Sequence, residues 1–151
     1  MVARKGEEPP ANFPPTPTHD VPVSAGEALR SCDASKGSVT TGIILEKVMM
    51  RAAMTKEQVK AMGYRPRNAY CVMDMGEPAW TLTSCFTNPS GGRFVVGEGG
   101  DRYRCLSIKE GAALQSFGPG YHFCGSKTEV KRMIGNAVPP KLAEAVAGVL
   151  G

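Results

Sequence analysis

The stretch Arg104-Cys-Leu-Ser-Ile-Lys-Glu-Gly-Ala-Ala-Leu-Gln-Ser-Phe117, followed further on by Ile134-Gly-Asn-Ala-Val-Pro-Pro140, decides how the chain is read. It opens with a capping box: the Ser107 hydroxyl is spaced to accept from the backbone N–H of Glu110, and the Glu110 carboxylate to accept from that of Ser107. Ile108, Ala112, Ala113, Leu114 and Phe117 follow at roughly helical spacing, which predicts a short helix with one apolar face. Ser126 and Glu129 repeat the device, with Gly135 as the expected left-handed stop of that second helix. Pro139-Pro140 suit the first turn of a third helix, where their missing N–H groups cost nothing.

Working outward towards the N-terminus, the apolar period shifts to about two. Residues 69–73, 79–86, 93–96 and 102–106 read as short strands, separated by Gly76, Asn88-Pro-Ser-Gly-Gly92 and Gly97-Glu-Gly-Gly-Asp101. Upstream, Thr55 to Gln58 forms another box with Gly63 as stop, and residues 43–54 read as a Met-rich helix. Ser24 to Glu27 opens a short helix over Ala28 and Leu29. Residues 1–22 carry Glu8-Pro-Pro10 and Phe13-Pro-Pro-Thr-Pro-Thr-His19, an extended segment by composition. The fold class expected is α+β, with a small loop-rich region of short strands followed by helices.

At 151 residues the chain is one ordinary domain or a piece of a larger one. No run is long and apolar enough to span a bilayer, and no apolar signal follows Met1-Val-Ala-Arg-Lys5, so a soluble, cytoplasmic chain without membrane contact is expected. A net charge of +4 is compatible with a nucleic-acid surface without requiring one. Five widely spaced cysteines with no Cys-x-x-Cys pair argue against a disulfide framework and against zinc; they are expected to be mostly buried thiols. His19 and His122 have no partner at metal-ligand spacing, so no metal site is assigned.

The opening stretch resembles the last two motifs of the DNA cytosine-5 methyltransferases. The ninth reads approximately Arg-x-Leu-Thr-x-Arg-Glu-x-x-x-Leu-Gln-x-Phe-Pro. Arg104, Leu106, Ser107 for Thr, Lys109 for Arg, Glu110, Leu114, Gln115 and Phe117 match it. The tenth, Ile-Gly-Asn-Ala/Ser-Val-Pro-Pro, is matched by Ile134 to Pro140 without a gap. Gly118-Pro119-Gly120 departs from the Pro that the family places directly after Phe. The Pro-rich segment resembles the connector after the eighth motif, and Met1 to Arg4 the end of that motif's strand.

The resemblance implies a division into a connector (1–22), a target-recognition region (23–103), a ninth-motif helical segment (104–134), and the tenth motif with a C-terminal helix (135–151). It implies that Thr81 and Leu82, within Trp80-Thr-Leu-Thr83, face DNA; an ordinary strand with Trp80 and Leu82 on one face is the alternative. Arg65, Arg67 and Arg93, with Ser90, Gly91 and Gly92 of the turn, are further DNA-contact candidates through phosphate or base edges. Asn136, Ala137 and Val138 would meet the amino-acid end of S-adenosylmethionine, with Ala137 lacking the hydroxyl of the family's common Ser. Arg104, Ser107, Glu110 and Gln115 are expected to hold structure by pairing and capping.

The family's chemistry needs a thiolate from a Pro-Cys-Gln phrase, a Glu from Glu-Asn-Val, and a Gly-rich cofactor turn, with the target base taken out of the duplex. No cysteine here follows a proline, and none of the three phrases occurs. No catalytic residue is therefore assigned. The resemblance implies the smaller subunit of a split enzyme, inactive alone, its last helix packing on the Rossmann-like catalytic domain of a partner chain that carries the Pro-Cys motif. Duplex DNA would be the substrate, in a restriction-modification heterodimer acting at the nucleoid. A stand-alone sequence-specific DNA-binding regulator and an inactive truncated remnant are the alternatives.

Overall fold

A computed structural model of the chain describes residues 21–32, 37, 42–55, 58, 69–92 and 94–150. The Pro-rich segment up to residue 20, Gly63, Arg65, Arg67 and Arg93 lie outside the described residues. Helix α1 (Ala25–Leu29) starts at Ser24, whose hydroxyl accepts from Glu27 N at 3.2 Å. Only that arm of the expected box forms. The Ala25 and Gly26 N–H groups donate instead to Glu77 O and Met75 O, which ties α1 to the 75–77 turn. Helix α2 spans Gly42–Ala52, with Val48 buried. The Thr55–Gln58 box closes in both directions, at 2.8 and 3.3 Å.

Strands β1 (Val95–Gly97) and β2 (Tyr103–Cys105) form an antiparallel hairpin pairing Val95 with Cys105, Val96 with Arg104 and Gly97 with Tyr103. Its loop contains Gly99 and Gly100 with φ of 95° and 58°, the left-handed values a glycine adopts freely. Residues 71–73 run alongside β1 through Val72 alone, in a single parallel bridge, with Met73 N donating to Val95 O at 2.7 Å.

No strand forms over 79–86. Residues 84–87 turn instead, with Phe86 N donating to Thr83 O and Asn88 N to Cys85 O. The turn has a physical basis. Leu82 and Phe86 both enter the core, while Ser84, which would share their face in a strand, stays exposed.

Helix α3 (Ile108–Leu114) carries the complete Ser107–Glu110 box, and α4 (Lys127–Asn136) the complete Ser126–Glu129 box. Helix α5 (Pro140–Leu150) follows directly, with Ala143 N donating to Pro139 O. Gly135 does not end α4 in a left-handed turn: the helix continues to Asn136, and the capping Ala137 is extended at φ −70°, ψ 145°. A β-carbon on Gly135 would lie 2.5 Å from Thr83 C and 2.6 Å from Ser84 Cα. The glycine serves close packing between helix and turn.

One core joins both halves of the described chain: Leu29, Met73, Leu82, Phe86, Phe94 and Val96 pack with Leu106, Val130 and Ile134. Each large side chain buried there contributes about 1.5–3 kcal/mol. The architecture is α+β, helices around a two-stranded antiparallel sheet. Among the described residues no helix is long and apolar enough to cross a membrane.

Candidate functional site

The ninth-motif residues converge on the head of α3. Arg104 forms a two-pronged pair with Glu110, Nη1 to Oε2 and Nη2 to Oε1, both at 2.8 Å. Glu110 Oε2 also accepts from Ser107 N at 2.8 Å, so the capping carboxylate and the ion-pair carboxylate are one group. Arg104 Nε donates to Glu98 at 2.9 Å and Nη1 to Cys105 O at 3.2 Å. Arg104 and Glu110 are only 5% and 2% exposed, and every buried polar side-chain atom among the described residues has a partner. Hydrogen bonding to Glu110 pushes the Arg104 pKa up, so the guanidinium stays charged in spite of its burial. Glu98 was not readable in advance: it lies across the hairpin, and only the β1–β2 pairing brings it near.

From α3 the chain is locked to the tenth motif. Gln115 Nε2 donates to Ile134 O at 2.9 Å, capping a carbonyl in the last turn of α4. Ser116, held at φ 60°, accepts through Oγ from Lys141 N at 3.2 Å. These two bonds hold the Asn136–Val138 junction between helices α4 and α5. Asn136 is exposed, Ala137 half-buried, and Val138 is 65% exposed ahead of Pro139.

The other candidates separate. Thr81 is exposed, beside Trp80 at 54% exposure, whereas Leu82 is in the core. Trp80 and Leu82 therefore do not share a face. Ser90 is exposed, its hydroxyl donating to Asn88 Oδ1 at 2.8 Å. Gly91 and Gly92 are turned inward, where β-carbons would strike Cys85 and the Phe94 ring. Of that turn's candidates among the described residues, Ser90 alone faces solvent.

All five cysteines are free thiols. Cys105 is buried, Cys32 and Cys71 partly so, while Cys85 and Cys124 are exposed, contrary to the expectation that most are buried. Burial raises the pKa of Cys32 and of Cys105, keeping both as neutral thiols at neutral pH. Among the described residues no group of His, Cys, Asp and Glu is placed to hold a metal ion.

The model of the C-5 cytosine-specific DNA methylases matches residues 26–151. Type II methyltransferase M.AplI of Arthrospira platensis is 32% identical over 141 residues, which is 90% of this chain and 38% of that protein. DNA (cytosine-5-)-methyltransferase M.ApeKI of Aeropyrum pernix is 43% identical over 79 residues, covering 49% of this chain and 16% of its own. Mouse DNA (cytosine-5)-methyltransferase 1 is 41% identical over 46 residues, 30% of this chain and 3% of that protein. The chain thus spans less than two-fifths of the length of these curated relatives. No solved structure matches significantly. With a family match that begins within α1 and runs through both motifs to the last residue, the chain belongs to the C-5 cytosine-specific DNA methylases.

Proposed function

We propose that these residues form the DNA-recognition and cofactor-closing part of a cytosine-5 DNA methyltransferase. The catalytic thiolate would come from another segment or another chain, the smaller-subunit arrangement of a split enzyme being the form we favour. The observation that carries this reading is the pair of bonds, Gln115 to Ile134 and Lys141 to Ser116, which hold Asn136–Val138 in the open beside the ninth-motif helix. In this reading Asn136, Ala137 and Val138 contact S-adenosylmethionine, which supplies the methyl group when bound. Asn136 offers amide donors and an acceptor to its amino-acid end, and Ala137 offers backbone groups only.

Thr81 and Ser90 are the described solvent-facing residues that would read or position duplex DNA, together with Arg65, Arg67 and Arg93. Leu82 contributes by fixing Thr81 from below. Arg104, Ser107, Glu110 and Gln115 act as positioning residues. Work on duplex DNA goes with a nucleoid-associated, cytoplasmic location.

The test is methyl transfer from radiolabelled S-adenosylmethionine to duplex DNA. The 151-residue chain alone should label nothing, and addition of a catalytic part carrying the Pro-Cys phrase should restore labelling. Transfer by the chain alone overturns the division of labour. Sequence-specific binding that no catalytic part converts into methylation favours the stand-alone regulator instead.

A further inference from the structure

Lys109, on the first turn of α3, lines a cleft together with Lys127 and Lys131 of α4. The cleft has a volume of about 340 Å³ and is completed by Thr87, Leu106, Ser107 and Ile108. Lys127 and Lys131 are four apart on one helix and so share a face. Among the described residues no carboxylate lines the cleft. The two nearest in sequence are committed elsewhere: Glu110 to Arg104 and Ser107 N, and Glu129 to the Ser126 backbone and hydroxyl.

Ser107, the cap of the same helix, also lines the cleft. The residue is 4% exposed, and its Oγ accepts from Glu110 N. Ser126, in the matching cap, gives its hydroxyl proton to Glu129 Oε2 at 2.7 Å. Among the described residues, nothing accepts the hydroxyl proton of Ser107. Three ammonium groups and a spare O–H make a set of donors, which suits a ligand that only accepts: a phosphate oxygen.

We propose that this cleft binds backbone phosphate of duplex DNA and fixes register without reading sequence. The assignment rests on the DNA-recognition reading above and adds lysines on two helices to the segment that carries Thr81 and Ser90. The three lysines come from two helices, and Lys109 and Lys127 are exposed where a polyanion can reach them. Thr87, which lines the cleft, ends the turn that follows Thr81 and Leu82 in the chain.

The test is fluorescence anisotropy of the full chain on two duplexes of unrelated sequence over a series of salt concentrations. Replacing all three lysines, K109Q/K127Q/K131Q, should lower the slope of log K against log salt by about 2.7, at roughly 0.9 per lost phosphate contact. The loss should be equal on both duplexes, and K109R/K127R/K131R should keep the wild-type slope. The three single Gln variants provide the same readout should the triple variant unfold.

An unchanged slope overturns the proposal, as does pyrophosphate binding that disappears in the variant while duplex binding keeps its slope. If wild type and T81A both bind duplexes without discrimination but the lysine variants still lose slope, the recognition reading falls and this site stands. If discrimination depends on Thr81 while the slope ignores the lysines, the reverse holds. Absence of any duplex binding by the wild-type chain overturns both.

Discussion

Glu110 accepts one guanidinium N–H on Oε1 and, on Oε2, a second together with the Ser107 backbone N–H. A buried charge held this way is costly to orphan, because the remaining carboxylate keeps its desolvation penalty and loses its partner. Arg104→Met should therefore destabilise the chain by about 3–5 kcal/mol, read from urea unfolding midpoints. The double change R104M/E110M should recover part of that loss, since it buries no charge, although the cap on Ser107 N is gone. A cost for R104M below about 1 kcal/mol would mean that the pair carries no more than an exposed one.

At the scale of elements, two helical glycines separate packing from propensity. Gly135 sits in α4 against the Thr83–Ser84 backbone, whereas Gly148 sits in α5 with nothing within 4 Å of an added β-carbon. Intrinsic preference favours alanine at both by about 1 kcal/mol. Backbone cannot swing aside as a side-chain tip can, so Gly135→Ala should cost about 1–3 kcal/mol by overpacking. Gly148→Ala should stabilise by up to about 1 kcal/mol. Thermal melts of the two variants check both signs. The turn that replaces the strand expected over 79–86 packs on two helical glycines: the Thr83–Ser84 backbone lies against Gly135, and the Phe86 ring against Gly111, where a β-carbon would strike it.

At the scale of the whole molecule, α5 is the least embedded of the C-terminal elements. Leu142 is 52% exposed and Ala143 and Ala147 are exposed, with Val146 and Val149 half-buried. Eleven residues of helix with so little buried surface are marginal in water. In hydrogen exchange of the chain alone, α5 amides should exchange well before those of α3 and α4, whose caps and core contacts hold them. Adding the catalytic part of the proposed enzyme should protect α5 selectively. Equal protection of the three helices without it would show that α5 needs no further surface.

The sequence by itself determined whatever depends on neighbours three or four residues apart. The boxes at Ser107, Ser126 and Thr55, the proline entry of α5 and the glycine turn of the hairpin were legible because their donors and acceptors are close in the chain. So were the two motifs that mark the family, as linear strings. The strands were legible only as apolar alternation, which shortened to β1, β2 and one bridge once pairing partners were chosen.

Tertiary structure alone decided that Glu98 joins Arg104, that Leu82 turns inward while Thr81 does not, and that Gly91 and Gly92 face the interior. It also decided that Gly135 packs against a turn and that three lysines from two helices meet at one cleft. The Gly135 contact and the lysine cleft join segments far apart in sequence, and even the nearer contacts, Glu98 with Arg104 and Gly92 with Phe94, follow from pairing, burial and steric fit and not from local preference.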